Sequence, residues 1–249
     1  MSSLKFWIGG KQTVKAALQN PARKIFEICS TSENLQFFNQ LEKELNKKFN
    51  INYKETKHIN KLFKNNISHQ GVAVLIEKTQ TISTNDFLLK IKNKTESSVV
   101  ILDDITDQRN IGSIIRTSAA FCIDAVFILN KNFNHDNESM YKAASGAIEL
   151  IPVIPVVNIV NTIEKLKNNN FWISGLDIGS NKNIIDYQWN KKVAIILGSE
   201  GKGMRDLVKK NCDDLIKINI NPAIDSLNVS NALAATLAIK YFQKKNPEK

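Results

Sequence analysis

The sequence predicts an α/β protein in which a parallel sheet with helices on both faces follows a smaller α/β domain. Two observations carry this prediction. From about residue 98 onward, strand candidates alternate with helix candidates, and these strand candidates are continuously apolar. Continuous apolar runs are expected where helices cover both faces of a parallel sheet. The chain has 249 residues, enough for one large domain or two ordinary ones.

The first unit is predicted over residues 1–78, with its own modest core. A short apolar segment and the turn Gly9-Gly10 lead into a helix with one apolar face. The remaining predicted elements are a strand at 24–29, a helix at 35–49, a strand at 51–53, a helix at 59–63 and a β-branched strand at 69–78. Residues 79–97 are polar apart from one or two helical turns around Leu88, and we expect them to link the two domains.

The second unit, residues 98–249, alternates between strands and helices. The expected strands are 99–102, 125–129, 151–157, 171–176, 193–197 and 215–220. The expected helices are 112–122, 138–145, 159–168, 203–210 and 226–243. The last helix carries no charge before Lys240, and a helix that is apolar on every side is expected to be buried all round. Asp225 and Ser226 are placed to cap this helix. Its polar first turn suggests that the start of the helix faces a ligand, and an ordinary core helix with a polar cap is the alternative.

Composition is typical of a soluble globular protein, with 43% hydrophobic and 23% charged residues. No apolar run approaches the ~20 residues of a membrane span, and the N-terminus lacks the features of a signal peptide. The three cysteines are scattered, and the three histidines do not pair with them at zinc spacing. We therefore expect a cytoplasmic protein without a structural metal.

The net charge of +10 makes a nucleic acid the expected partner, because displaced counterions drive the binding of basic proteins to phosphates. The chain is also rich in Lys, Asn and Ile, as a low-G+C genome encodes. Codon drift is therefore an alternative source of part of the positive charge.

Ligands of open α/β sheets bind beyond the carboxyl ends of the strands, and the first of three unusual loops there covers residues 103–121. In it, Asn110 is expected to cap the following helix. Gly112 lies one turn before Arg116, so the missing side chain is expected to leave room above the guanidinium. Such a guanidinium suits a phosphate, and a surface arginine without that role is the alternative.

The second loop, residues 196–204, holds glycines that let the backbone approach a ligand closely, Gly198 and Gly201 among them. Glu200 lies between them, where it is placed to meet Arg116 or a polar group of a substrate. The loop matches neither the dinucleotide fingerprint nor the P-loop. A generic glycine turn is the alternative.

The third loop leads into the last helix. Its side chains Ile218, Ile220 and Leu227 are expected to wall an apolar slot, with backbone groups between them free to bond an adenine edge. Three loops of this kind at one end of one sheet predict a small-molecule pocket.

Three motifs in these loops, N-I-G-S-I-I-R, G-S-E-G-K-G-M and S-L-N-V-S, resemble in order and spacing those of the SpoU/TrmH branch of the SPOUT methyltransferases. The resemblance covers about 99–242. Near the N-terminus, W-I-G-G-K-Q-T-V-K-A-A-L and H-Q-G-V-A-V resemble the small ribosomal-protein-like RNA-recognition domain of the RlmB subgroup. That subgroup modifies a guanosine of large-subunit ribosomal RNA.

The resemblance implies methyl transfer from S-adenosyl-L-methionine, without a metal, to a ribose 2′-hydroxyl of structured RNA, with rRNA favoured and tRNA as the alternative. It implies a deep trefoil knot in the C-terminal segment, a rare exception to unknotted topology. It also implies a homodimer through the C-terminal domain, with no membrane partner. The cofactor residues it implies are Leu197, Gly198, Gly201, Ile218, Ile220 and Leu227. The catalytic positions it implies are Asn110, Arg116, Glu200, Ser226 and Asn228.

A ribose hydroxyl must lose its proton and lie in line with the methyl donor to react. The family proposal makes Arg116 the proton acceptor. Arginine side chains have pKa values above 12, which favours a phosphate clamp and electrostatic stabiliser instead. Asn110 and Glu200 would orient Arg116, while Ser226 and Asn228 would shape the approach of the hydroxyl.

The chain departs from the family pattern in two places. Ile218-Asn219-Ile220 and Asn221-Pro222 stand where the family has I-P-M and a glycine, and a histidine of the subgroup is replaced around residues 11–12. The alternatives to an RNA methyltransferase are an RNA-binding protein that lost the reaction and a nucleotide-dependent oxidoreductase. The filled catalytic positions argue against the first, and the missing G-x-G-x-x-G after the first strand of the second unit argues against the other.

Overall fold

The structure is a computed structural model that describes residues 5–64, 67–78 and 81–245. Its strands are β1 Lys5–Gly9, β2 Ile25–Ser30, β3 Asn52–Tyr53, β4 Val72–Glu77, β5 Ser97–Asp103, β6 Ala125–Leu129, β7 Val153–Val156, β8 Trp172–Leu176, β9 Lys192–Gly198 and β10 Asp214–Ile216. Its α-helices are α1 Lys11–Gln19, α2 Leu35–Leu45, α3 Thr56–Asn60, α4 Thr84–Lys90, α5 Gln108–Ala120, α6 Glu138–Ala144, α7 Ile159–Lys167, α8 Asp206–Lys210 and α9 Val229–Lys245.

The N-terminal part forms a sheet in the order β1-β4-β2-β3. β4 pairs antiparallel with β1 and β2, while β3 runs parallel to β2. The predicted α/β elements are present, except that the short helix expected at 59–63 lies earlier, at Thr56–Asn60. Helix α2 ends at Leu45, before the predicted end at residue 49, because Asn46 adopts the left-handed conformation and its N–H bonds to the carbonyls of Glu42 and Lys43.

The C-terminal part forms a parallel sheet in the order β10-β8-β9-β5-β6-β7. The central strands β5 and β9 are buried on both faces, as their continuous apolar runs predict. One face packs against α5, α6 and α9. The other face packs against α4, α7 and α8. The expected parallel sheet with helices on both faces is therefore confirmed.

The predicted linker is partly ordered on the second domain. Residues 79 and 80, where it begins, lie outside the described residues. Helix α4 follows Ser83, which caps it in a reciprocal pair of hydrogen bonds with Asp86. Phe87, Leu88 and Ile91 are buried against the sheet, so this segment contributes to the core.

Two predicted helix caps are wrong. Helix α5 begins at Gln108, and the cap is Asp107, whose carboxylate accepts from the N–H groups of Arg109 and Asn110. Asn110 therefore lies inside the first turn, with its side chain free for another partner.

Helix α9 begins at Val229, and Asn228 caps it by accepting from Ser230 N at 3.0 Å. Neither Asp225 nor Ser226 does so. β10 ends at Ile216, short of the predicted residue 220.

The last helix is also less buried than its apolar composition predicts. The buried residues of α9 are Val229, Leu233, Thr236 and Leu237. Tyr241 and Phe242 are exposed by 43% and 63%. Among the described residues, no helix is both long and apolar enough to cross a membrane.

We expect the stability of the fold to decrease as the pH is lowered from about 6.5 to about 4. Burial, assisted by Lys78, lowers the pKa of His135 to about 4 although Asp136 opposes the shift. Burial also lowers the pKa of His69. Because the unfolded histidine binds the proton more tightly, acid favours unfolding in this window.

Thermal unfolding of the wild type and of His135→Asn at about pH 7 and about pH 5 checks this expectation. The variant should lose less stability on acidification. An equal loss in both proteins would contradict the role of His135.

Candidate active site

The carboxyl ends of β8, β9 and β10 open into a cavity of about 510 Å³. This volume lies within the range of about 300–1,000 Å³ that small-molecule sites occupy. The residues predicted to hold a cofactor all line it: Leu197, Gly198, Gly201, Ile218, Ile220 and Leu227. Two of the predicted catalytic residues, Glu200 and Ser226, also line it.

The loop after β9 makes a tight turn that needs its glycines for two different reasons. A Cβ on Gly198 would lie 2.1 Å from the backbone of both Gly203 and Met204. Ser199 and Gly203 exchange backbone hydrogen bonds of 3.1 and 2.9 Å across the turn. Gly201 has a φ of +79° with open space around its Cβ position. Close approach thus requires glycine at 198, and the left-handed backbone favours it at 201.

Glu200 joins the three loops. Its Oε1 accepts from Asn110 Nδ2 at 3.0 Å and from Asn228 Nδ2 at 2.7 Å. Asn228 Nδ2 also donates to Asn110 Oδ1 at 3.0 Å. Three residues predicted from separate motifs therefore form one hydrogen-bonded cluster at the rim of the cavity. The expectation that the three loops meet is confirmed.

Neither Asn110 nor Glu200 forms a hydrogen bond with Arg116, although both were expected to orient it. Arg116 is exposed on α5 and makes no hydrogen bond or ion pair with the residues that the structure describes. It does not line the cavity. It follows Asn110 by six residues, or about 9 Å along the helix, and its guanidinium is available to a phosphate group.

Gly112 does not leave room above Arg116, as the spacing suggested. A Cβ on Gly112 would lie 2.4 Å from the carbonyl oxygen of Met140 and 2.8 Å from Ala143 Cβ. The glycine therefore allows α5 and α6 to pack closely, and this packing fixes the helix that carries Asn110 and Arg116.

An ion pair that the sequence did not predict holds the segment after the glycine turn, and only its carboxylate partner is buried. Asp103, at the end of β5, is fully buried. Its carboxylate accepts from Arg205 N at 2.9 Å, Nε at 2.8 Å and Nη2 at 2.5 Å. These hydrogen bonds raise the pKa of Arg205. The only sequence signal was an acidic residue directly after a buried strand, without any indication of its partner.

The sequence also missed the wall of the cavity that follows β8. Leu176, Asp177 and Ile178 lie there, and Asp177 pairs with Lys209 of α8. Their position after a strand of the same parallel sheet was the available signal, because all carboxyl ends meet at one edge.

The described part of the chain offers no cluster of metal ligands, and two of its three cysteines are held as thiols. No group of three or more His, Cys, Asp or Glu side chains there could hold a metal ion. The cysteines are free. Burial raises the pKa of Cys29 to about 11 and that of Cys212 to about 12, so both thiols stay protonated near neutral pH.

Comparison with known proteins identifies two families along the chain. Residues 97–238 match the SpoU rRNA methylase family. Residues 7–82 match the family described as RNA 2′-O ribose methyltransferase substrate binding. The first match alone covers more than half of the chain.

Two relatives share long stretches with this chain. A putative TrmH family tRNA/rRNA methyltransferase of Staphylococcus epidermidis is 39% identical over 182 residues, which cover 73% of either chain. An uncharacterized tRNA/rRNA methyltransferase of Borreliella burgdorferi is 40% identical over 183 residues, which cover 70% of this chain and 79% of the relative.

Solved structures show the same fold at low identity. The SpoU methyltransferase AviRb of Streptomyces viridochromogenes, in complex with AdoMet, has a TM-score of 0.79 at 17% identity and covers 97% of this chain and 91% of its own. An AdoMet-bound rRNA methyltransferase of Sinorhizobium meliloti has a TM-score of 0.77 at 19% identity, with coverage of 96% and 87%. The family matches and the relatives agree with the motifs, and the chain belongs to the SpoU/TrmH family of RNA methylases.

Proposed function

We propose that the protein transfers a methyl group from S-adenosyl-L-methionine to a ribose 2′-hydroxyl of RNA, leaving S-adenosyl-L-homocysteine and releasing the hydroxyl proton to solvent. One observation carries the proposal: Glu200 binds Asn110 and Asn228 at the rim of a cavity lined by every residue assigned to the cofactor. The AdoMet-bound structures with the same fold support the choice of cofactor.

The lining of the cavity suits this cofactor. Leu197, Ile218 and Leu227 offer apolar walls to an adenine ring. Because β10 ends at Ile216, the backbone groups of Ile218 and Ile220 lie outside the sheet and are placed to bond the adenine edge. Carboxylates and ammonium groups both line the cavity, which matches the zwitterionic amino-acid end of the cofactor.

The residues of the chain orient the reaction. When bound, S-adenosyl-L-methionine supplies an electrophilic methyl group on a positively charged sulfur. Arg116 clamps an RNA phosphate and stabilises the negative charge that develops on the ribose oxygen. Glu200 holds the amides of Asn110 and Asn228 at the rim, and Ser226 shapes the path of the hydroxyl toward the cavity. Orientation of this kind lowers the barrier because the reacting atoms meet in line.

We propose a guanosine of large-subunit rRNA as the substrate, as in the RlmB subgroup, with residues 1–78 as the RNA-recognition domain and 98–249 as the methyltransferase domain. The substrate-binding match over 7–82 supports this division. The relatives named for both tRNA and rRNA make tRNA the second candidate.

Mapping of ribose methylation across total RNA, in cells with and without the protein, tests the function. We expect one rRNA guanosine to lose its methyl group when the protein is absent. Loss at a tRNA nucleotide would select the second candidate, and an unchanged map would indicate an RNA-binding protein without activity.

RNA affinity should fall at least about tenfold between about 50 and 200 mM salt, because binding releases counterions from several RNA phosphates and this release is less favourable at higher salt. The net charge of +10 motivates this expectation. Filter binding of an rRNA fragment at a series of salt concentrations measures the slope. A flat response would instead attribute the positive charge to codon drift.

We propose a cytoplasmic homodimer that forms through α9, with the knot of the family in the segment between β10 and α9. The exposed aromatic side chains Tyr241 and Phe242 support the dimer, since an interface would cover them. The fold shared with SpoU structures supports the knot. Light scattering of the purified protein should give twice the mass of one chain, and a monomer would contradict this assembly.

A further inference from the structure

The N-terminal domain is docked on the methyltransferase domain through a packed interface. The Phe6 and Tyr141 rings lie with their centroids 5.3 Å apart. A Cβ on Gly146 would lie 2.6 Å from Ala16 Cβ, so the helix α1 approaches the segment after α6 closely. Both sides of this contact belong to one apolar core. The two domains therefore share part of their interior.

An ion pair lies inside this interface. Arg23 Nη2 and Nε contact Glu149 Oε1 and Oε2 at 2.7 and 3.0 Å, and the two side chains are 2% and 1% exposed. Asn20 Nδ2 donates to Glu149 Oε2 at 2.7 Å, and Arg23 Nη1 donates to the carbonyl oxygen of Glu77 at 2.9 Å. The fork of Arg23 is thus held by two chain segments, which fixes its direction.

A second polar contact lies at the first residue of α6, where Lys64 N donates to Glu138 Oε1 at 2.8 Å. The N-terminal domain is thus attached near both ends of the stretch 138–149. Two separated attachments of this kind prevent rotation about either one.

The docked segment is directly connected to the candidate active site. Helix α6 packs against α5 at Gly112, and α5 carries Asn110 and Arg116. If the N-terminal domain moves on α6, the position of that domain relative to Arg116 changes as well. Structural stability alone does not explain the pair, because apolar side chains of similar volume stabilise such an interface as well or better.

We propose that Arg23 and Glu149 are positioning residues that lock the N-terminal domain to the methyltransferase domain, so that RNA held by the first is presented to Arg116 at a fixed distance and angle. The RNA part of this proposal rests on the proposed function. Without the lock, the N-terminal domain can turn on its remaining contacts, so bound RNA is no longer held in one orientation toward the methyl donor.

Glu149→Gln tests the lock because it leaves Arg23 buried without a countercharge. We expect hydrogen exchange in α1 and α6 to accelerate at least about tenfold as the interface opens. The single-turnover methylation rate should fall at least about tenfold. The dissociation constants for the RNA and for S-adenosyl-L-homocysteine should stay within about threefold of the wild type, because neither binding surface is changed.

Two controls separate positioning from folding. Lys15→Gln removes an exposed ion pair with Glu44 in the same domain and should change neither the exchange nor the rate. The double variant Arg23→Met/Glu149→Met fills the same space without charge and should recover both the docking and the rate. If Glu149→Gln does not fold, Arg23→Lys, which keeps the charge but loses the fork, should show the same split between rate and RNA affinity.

A folded Glu149→Gln variant that exchanges like the wild type would overturn the lock. A variant that opens but still methylates at the wild-type rate would overturn the positioning role. If the wild type methylates no RNA, the proposed function fails, while the exchange experiment still decides whether the pair holds the domains together.

Discussion

Arg116→Ala is expected to slow methyl transfer by about 10²–10³-fold while the protein stays folded and binds S-adenosyl-L-homocysteine normally. The arginine is exposed and makes no hydrogen bond or ion pair within the described part of the chain, so its truncation leaves no buried group without a partner. Stability should therefore change by less than about 0.5 kcal/mol. Because Arg116 lies outside the cavity lining, the cofactor loses no contact.

Single-turnover methylation with saturating RNA measures this loss, and thermal unfolding checks the fold. Arg109→Ala is the matched control, since it removes another exposed arginine of α5. Arg116→Lys keeps the charge but loses the planar fork, so it should recover only part of the rate if the residue clamps a phosphate. Turnover of Arg116→Ala at the wild-type rate would refute the assignment.

Gly198→Ala is expected to weaken cofactor binding at least about 100-fold, or about 3 kcal/mol. The new Cβ would collide with the backbone of Gly203 and Met204 at 2.1 Å, and neither group can rotate away as a side chain can. The turn across the cavity must open, and it carries Glu200 with it. Calorimetric titration with S-adenosyl-L-homocysteine measures the change.

Gly201→Ala is the control for this variant. Its Cβ meets nothing within 4 Å, so only the φ of +79° opposes the substitution. The expected cost is about 1–2 kcal/mol of backbone strain in the turn. This is smaller than the loss of cofactor affinity expected for Gly198→Ala. If the two variants bind the cofactor equally well, the close approach at Gly198 does not shape the pocket.

The parallel sheet was predictable because its central strands are buried on both faces, so the middle of each strand is a continuous apolar run. β6 matches its predicted bounds, and β5 and β9 extend theirs by one or two residues. Edge elements were less predictable. β10 pairs only with β8, and its apolar run continues beyond the sheet into the cavity wall at Ile218 and Ile220.

The site was predictable as a meeting of loops, since parallel strands place their carboxyl ends together. The roles of individual polar residues in the site were less predictable. Asp107 and Asn110 are both good caps, and only the tertiary contact of Asn110 with Glu200 decides between them. Gly112 was expected to leave open space, but α6 packs directly against it.

The ion pairs Arg23–Glu149 and Arg205–Asp103 could not be predicted, because each joins residues far apart in the chain. Arg23 of the N-terminal domain meets Glu149 of the second domain. Asp103, at the end of β5, meets Arg205, which follows the turn after the neighbouring strand β9. No local pattern of charge or spacing distinguishes these residues from the many exposed lysines and glutamates. The burial of Arg23, Glu149 and Asp103 becomes visible only once the sheets are assembled.

The contact between Glu200 and Asn228 has a consequence for how the protein is made. Residues 225–232 supply one side of the cavity and an amide that fixes Glu200. Until the ribosome has added these residues, the nascent chain lacks both this side of the cavity and the amide. Domains generally fold as units during synthesis, the N-terminal one first. We therefore expect a partly synthesised chain to lack the complete cavity until these residues have been added.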